Sequence, residues 1–371
     1  MAVSARRHIP GLDGVRAIAI LMVVLHHTVY TAPRETFAQK LFLHVAGQGW
    51  AGVDLFFVLS GFLITGILID ARESLHALRN FYARRVLRIV PVYVAFLLFS
   101  LWMAPALQLL SASEAAQLHT TQLWFWTYSV NLLIAFHSWS AASFPTVHLW
   151  SLAVEEQFYL LWPFAVLLMT PRTLRRTAVG CIIGAEICRL LFIIGGAGGQ
   201  VNYVMLPSRM DSLAAGAFLA CCFRDPAGWA RLLKARLWVV ALSCLLLTGI
   251  IAHSHTIDNQ APLEQLIAFP ALVALSSVVV ASAVGGGAWL ANRFFRFIGK
   301  ISYGMYVWHV EVLRLVQQWI PIPPANHQEA IWTYYAAMIV GVLCCTIAVA
   351  LFSWYIIEQP FLRLKRFVPS T

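Results

Sequence analysis

The sequence predicts an all-α fold, a polytopic transmembrane helix bundle of about ten spans with both termini in the cytoplasm. Three observations predict it. Of the 371 residues, 60% are hydrophobic and 11% charged, whereas a soluble domain carries about 25% charged residues. About ten apolar stretches approach the roughly 20 residues that a helix needs to cross a bilayer. They centre near Leu21, Leu59, Phe99, Tyr159, Ile187, Gly216, Leu245, Leu275, Val307 and Ile347. Lys and Arg fall in alternate connecting segments, so one face of the bundle is basic and, by the positive-inside rule, cytoplasmic.

Each element follows in order. The first span is "LDGVRAIAILMVVLHH", residues 12–27, with a cap at Asp13 and with Arg6 and Arg7 before it. It has no small-residue cleavage pattern, so it stays as a helix rather than leaving as a signal. The second, "GVDLFFVLSGFL", carries Asp54, either as a cap at the outer boundary or as a buried polar group. Arg72, Arg79, Arg84, Arg85 and Arg88 lead into the third. Residues 104–146 then contain no Lys or Arg, and their run "LWFWTYSVNLLIAF" is short and aromatic for a span; it fits an interfacial or re-entrant helix. Arg172, Arg175 and Arg176 follow the fourth span, Arg224, Arg231, Lys234 and Arg236 the sixth, Arg293, Arg296 and Lys300 the eighth, and Arg363, Lys365 and Arg366 the tenth. Arg34 and Lys40 alone fall in opposite-side loops, and Arg189, Arg209 and Arg314 lie at membrane depth. Residues 1–371 thus read as a single integral-membrane domain with its core at 12–361, in the cell (inner) membrane.

Topology accounts for most of the net charge of +10, so no nucleic-acid partner is needed. The seven cysteines sit in or at the ends of apolar segments without metal-ligand spacing, and no metal site is read from them. No internal repeat stands out, which weakens a transporter built from duplicated halves.

An ionisable group at the bilayer centre costs about 2.5–3.5 kcal/mol, which makes each one a candidate for function or for an interhelical ion pair. Helical phase sorts them. Eleven steps of 100° bring His27 to within about 20° of Arg16 and about 16.5 Å farther along the helix, while His26 points elsewhere and reads as a packing or hydrogen-bonding residue. In the fourth span, "HLWSLAVEEQFYLLWP", His148, Ser151, Glu155 and Tyr159 share a face, and Glu156 lies off it. In the ninth, Ser302, Tyr306 and His309 share one. The i, i+3 pairs Glu311–Arg314 and Glu186–Arg189 read as self-neutralising packing; Arg209 with Asp211 stays open.

A mid-membrane His27 with Glu155 on another helix points to a His–Glu pair, which serves acid-base catalysis and proton relay equally well. The arginines help separate them. Arg16, Arg72, Arg79, Arg84, Arg85 and Arg88 gather near one helix mouth, which suits a phosphorylated co-substrate because Arg forms bidentate phosphate contacts. The alternative is a topology signal that also binds anionic lipid.

Taken together, Arg16 and His27 ten residues apart, "DLFFVLSGFLIT", "RRVLRIVPVY", "LWSLAVEEQFYLLWP", "RMDSLAAGAFLA" and "GKISYGMYVWH" resemble the membrane-bound acyltransferase-3 family over nearly the whole chain. The resemblance implies transfer of an acyl group, usually acetyl, from cytoplasmic acyl-CoA to a hydroxyl of a carbohydrate-containing acceptor, a glycan, glycolipid or glycoside. It makes His27 and Glu155 the catalytic pair and Arg16, Arg84, Arg85 and Arg88 the donor-binding set. Asp54, Ser151, Tyr159 and His309 take substrate-binding or supporting places. The family's Ser-x-Glu-x-x-Phe-Tyr motif has Ala153 at its Ser position, so that hydroxyl is dispensable or supplied by Ser151. The chain resembles the type without a fused soluble hydrolase-like domain. Direct attack on the thioester and an acyl-His27 intermediate both fit these residues. The rival classes are a proton-coupled transporter or permease using the buried His and Glu as a relay, and a membrane scaffold whose polar stripes only pack helices.

Overall fold

A computed structural model describes residues 9–29, 36–254, 257–320, 322–323 and 328–369; Arg6, Arg7 and Arg34 lie outside them. The described residues form helices and no strand. Ten helices have 18 or more residues: α1 (Pro10–Val29), α2 (Gly52–Asp70), α3 (Ala77–Leu98), α4 (Trp150–Leu168), α5 (Pro171–Ile194), α6 (Leu206–Phe223), α7 (Pro226–Ser254), α8 (Pro262–Val284), α9 (Arg293–Trp319) and α10 (Gln328–Ser353). Helix covers every predicted centre; Phe99 falls in a π-helical turn, Phe99–Met103, that continues α3.

Seven of these helices, α1, α2, α3, α5, α7, α8 and α10 with their flanking turns, are long and apolar enough to cross a membrane. The other three fall short by their polarity: α4 carries Glu155 and Glu156, α6 carries Arg209 and Asp211, and α9 carries Lys300, Glu311 and Arg314 among its charged groups. Their length is right for a span; their polarity marks them as interior.

Local chemistry sets the boundaries. Pro stands in the first turn of α5 and α8, where its missing N–H costs nothing. Thr170 caps α5 by accepting from the Thr173 N–H, and Asn292 caps α9 by accepting from the Phe295 N–H. The aromatic run expected as an interfacial or re-entrant helix is divided between Ala112–Trp126 and Val130–His137. Tyr128 makes the break with φ of 51°, stacked on Tyr93 with ring centroids 4.2 Å apart.

Close packing at the centre relies on glycine. A Cβ on Gly61 of α2 would strike the Leu213 carbonyl oxygen of α6, and one on Gly216 would strike the Val58 carbonyl oxygen. Small residues at both points let the backbones touch, the usual way for membrane helices to gain dispersion contact. Beside that contact, the buried Asp54 pairs with the buried Arg209 at 2.5 Å and accepts from Ser212 at 2.8 Å. At the periphery, α7 turns Leu237 and Trp238 outward, the apolar exterior expected of a surface facing lipid.

Candidate active site

A cavity of about 530 Å³ lies among α1, α2, α3, α4 and α9. Its wall on α2 runs from Asp70 to Val53, 17 steps that rise about 25 Å. The cavity is therefore long. Arg16 from α1, Arg84, Arg85 and Arg88 from α3, and Lys365 from the turn Leu364–Phe367 all line it. The spacing of the α3 arginines places them on one helical face. Arg16 pairs with Asp13 at 2.6 Å; among the described residues Arg84, Arg85, Arg88 and Lys365 form no ion pair. The Arg85 guanidinium lies over the Tyr159 ring, 5.0 Å from its centroid. Arg84 donates to the Val368 carbonyl at 2.8 Å, which holds the turn carrying Lys365 against the mouth. Five cations, Arg16, Arg84, Arg85, Arg88 and Lys365, against two carboxylates, Asp70 and Glu155, in one concavity make a site for a polyanion.

Farther in, the stripe predicted on α4 faces the cavity: Tyr159, Glu155 and Ser151 all line it. Glu155 lies among Ser60, Tyr159 and Arg85, and the Tyr159 and Ser60 hydroxyls hydrogen-bond. Tyr306 of α9 donates to the His148 carbonyl at 2.9 Å and so accepts from Ser151.

Beyond Tyr306 stand three histidines. The His309 ring centroid is 4.9 Å from that of His27, 5.0 Å from that of His148 and 5.6 Å from that of Tyr306. Carbonyl oxygens only accept, so each one that a ring nitrogen meets fixes a tautomer. His309 Nδ1 donates to the Tyr306 carbonyl at 2.7 Å, leaving its Nε2 as an acceptor. His27 Nδ1 donates to the Val23 carbonyl at 2.9 Å and faces His309 Nε2 at 3.3 Å. Both partners of His27 Nδ1 take its proton. The basic nitrogen of His27 is therefore Nε2. His148 Nε2 donates to the Val307 carbonyl at 3.0 Å. His309 and His148 are buried, while His27 is half-buried.

The structure rearranges part of the expected site. The expected His27–Glu155 pair does not form among the described residues: His27 meets His309, and Glu155 meets the Ser60–Tyr159 couple. Helical phase gives the face of each residue but not what stands opposite. His26 faces elsewhere, donating to the Gly47 carbonyl at 2.5 Å. Asp54 is neither a cap nor a cavity residue; it is buried against Arg209. Glu186–Arg189, at 2.5 Å, and Glu311–Arg314, at 2.6 Å, pair as their spacing indicates, and Asp211 joins Arg189 at 2.8 Å. Arg72 and Arg79 stay off the cavity wall, whereas Lys365 and Ser60 stand on it. In the sequence Lys365 is one more topology cation, and Ser60 an isolated hydroxyl in an apolar helix.

Comparison with known proteins supplies the rest. The family profile described as an acyltransferase domain, of the acyltransferase-3 type, matches residues 9–350. The chain is 28% identical over 364 residues to the peptidoglycan O-acetyltransferase OatA of Listeria monocytogenes, covering 91% of this chain and 55% of that protein. It is likewise 28% identical over 383 residues to the O-acetyltransferase OatA of Staphylococcus aureus, covering 97% of this chain and 58% of that one. The chain thus spans little more than half the length of these relatives. No solved structure matches it. With seven membrane-length apolar helices and a profile match across nearly its whole length, the chain belongs to the acyltransferase-3 family.

Proposed function

We propose that this protein is a membrane O-acyltransferase that moves an acetyl group from acyl-CoA to a hydroxyl of a carbohydrate-containing acceptor. The observation that carries the reading is one cavity lined by five cations, with a tautomer-fixed histidine cluster packed against its Tyr306. The phosphates of the donor meet Arg84, Arg85, Arg88, Arg16 and Lys365, and the thioester lies toward Tyr306. His27 Nε2 removes the acceptor hydroxyl proton, the oxygen forms its bond to the thioester carbonyl carbon, and the carbon–sulfur bond breaks. The thiolate leaves and takes up the proton from His27. Glu155, inside the cavity with Tyr159 and Ser60, orients the reacting group. His309 takes the place anticipated for a carboxylate, accepting from His27 Nδ1 and stabilising the imidazolium.

The same reading makes all ten long helices spans, with the arginine mouth and both termini on the cytoplasmic side of the cell membrane. The supporting observation is that the three helices too polar by composition, α4, α6 and α9, bury Arg209, Asp211 and Glu311 and keep Glu155, Glu156 and Arg314 at least half-buried.

Transfer of radiolabel from acetyl-CoA to membrane glycans tests the function. His27→Ala should abolish transfer and Glu155→Gln should lower turnover sharply, both at unchanged protein level. Full activity in His27→Ala would remove the catalytic assignment. Radiolabel trapped on the wild-type chain but not on His27→Ala would replace direct attack by an acyl-histidine step. Acceptor flux into proteoliposomes without acyl-CoA would replace the enzyme by a transporter.

A further inference from the structure

We propose that Glu358 is the internal counter-charge of the empty donor site: it balances Arg88 when no donor is bound and competes with the donor phosphates for that guanidinium. This rests on the reading of the cationic cavity as the donor site.

Glu358 ends a π-helical turn, Trp354–Glu358, that continues α10 and packs on α3. It is 2% exposed, and neither carboxylate oxygen has a hydrogen-bond partner among the described residues. Helix α9 is shaped to receive it. A Cβ on Gly304 would stand 2.9 Å from Glu358 Oε1, so glycine leaves the room that the carboxylate fills. One residue earlier, the Tyr303 hydroxyl donates to the Ile89 carbonyl at 2.8 Å and ties α9 to α3 next to Arg88. A buried carboxylate keeps its charge only where a cation offsets the loss of water. Arg88 is the cation that acts on Glu358 electrostatically, without a direct ion pair.

The balance of charge gives this carboxylate its task. On the cavity wall Arg16 pairs with Asp13, Asp70 is taken by Arg224, and Glu155 stands near Arg85. Arg88 has no such neighbour on the wall, and both Arg16 and Arg85 repel it. Glu358 offsets that repulsion without lining the cavity. A phosphate that reaches Arg88 supplies the same charge from the cavity side. Phosphate and carboxylate then repel each other across one guanidinium, and each weakens the hold of the other.

Glu358→Gln keeps the shape and removes the charge. The test is equilibrium binding of acetyl-CoA to the full chain in lipid nanodiscs, for wild type, Glu358→Gln, Arg88→Gln and the double variant, with thermal unfolding in the presence and absence of the ligand. Glu358→Gln should bind acetyl-CoA at least about fivefold more tightly than wild type, the low end of a coupling between two sites. Without ligand it should unfold at a lower temperature than wild type, and saturating acetyl-CoA should raise that temperature by more. In the Arg88→Gln background the same substitution should leave affinity unchanged, because a buried carboxylate that has lost its cation takes up a proton. This second comparison does not depend on the folding of Glu358→Gln alone. Unchanged or weaker binding by folded Glu358→Gln overturns the counter-charge while leaving the donor site standing, and so does tighter binding by the double variant than by Arg88→Gln. A wild-type chain that does not bind acetyl-CoA overturns the donor reading, and the counter-charge with it.

Discussion

Replacing His309 with Phe isolates the hydrogen bond that orients His27. The Phe ring keeps the ring contacts His309 makes with His27, His148 and Tyr306, at centroid distances of 4.9, 5.0 and 5.6 Å, but offers no acceptor to His27 Nδ1. When His27 takes a proton on Nε2 its ring becomes cationic, and a hydrogen bond to a charged group is worth about 1.5–3 kcal/mol. At 1.36 kcal/mol for each factor of ten in rate, kcat should fall about 10- to 150-fold. The Val23 carbonyl, 2.9 Å from Nδ1, still holds the tautomer, which is why the loss stops short of removing His27 itself. KM for acetyl-CoA should not change, because His309 is not on the cavity wall that carries the cations. Single-turnover transfer of radiolabelled acetyl in nanodiscs, with thermal unfolding as a check on folding, measures both quantities. A folded His309→Phe chain with wild-type kcat would refute the assignment of His309 as the orienting partner of His27.

Three further outcomes follow from the packing and the charges. Lys365→Ala should raise KM for acetyl-CoA roughly tenfold at low salt with kcat kept, as expected for one charge-assisted phosphate contact; an unchanged donor affinity would exclude the turn Leu364–Phe367 from the site. Asp54→Ala should destabilise the bundle by about 3–5 kcal/mol, since it leaves the buried Arg209 without its carboxylate. Pairing it with Arg209→Leu should restore much of the loss, and thermal unfolding in detergent reads both. Gly61→Val should cost more than about 3 kcal/mol, beyond ordinary overpacking, because its Cβ meets backbone on α6 rather than a movable side chain; a chain expressed and folded like wild type would contradict the close contact of α2 and α6.

Much of this protein can be read along single helices. The ten predicted centres all lie in helix, because an apolar run of bilayer length is a local property of composition. The stripe Ser151, Glu155, Tyr159 faces one cavity, because a 3.6-residue period places those positions on one side wherever the helix docks. The i, i+3 pairs at Glu186–Arg189 and Glu311–Arg314 form for the same reason.

What is opposite each stripe was decided only by tertiary packing. Helical phase places His27 and Glu155 at similar depth on different helices and so predicts a pair. The docking of α1 on α9 instead brings His309 to His27, and the docking of α2 on α4 brings Ser60 to Tyr159. Asp54 finds Arg209 because glycines let α2 and α6 touch, and Lys365 joins the α3 arginines because the chain after α10 folds back under Arg84. The residue types and their faces belong to the sequence, since they depend on neighbours three and four apart. Partners come from interhelical contacts between residues as far apart as Arg84 and Val368, and no local period encodes those.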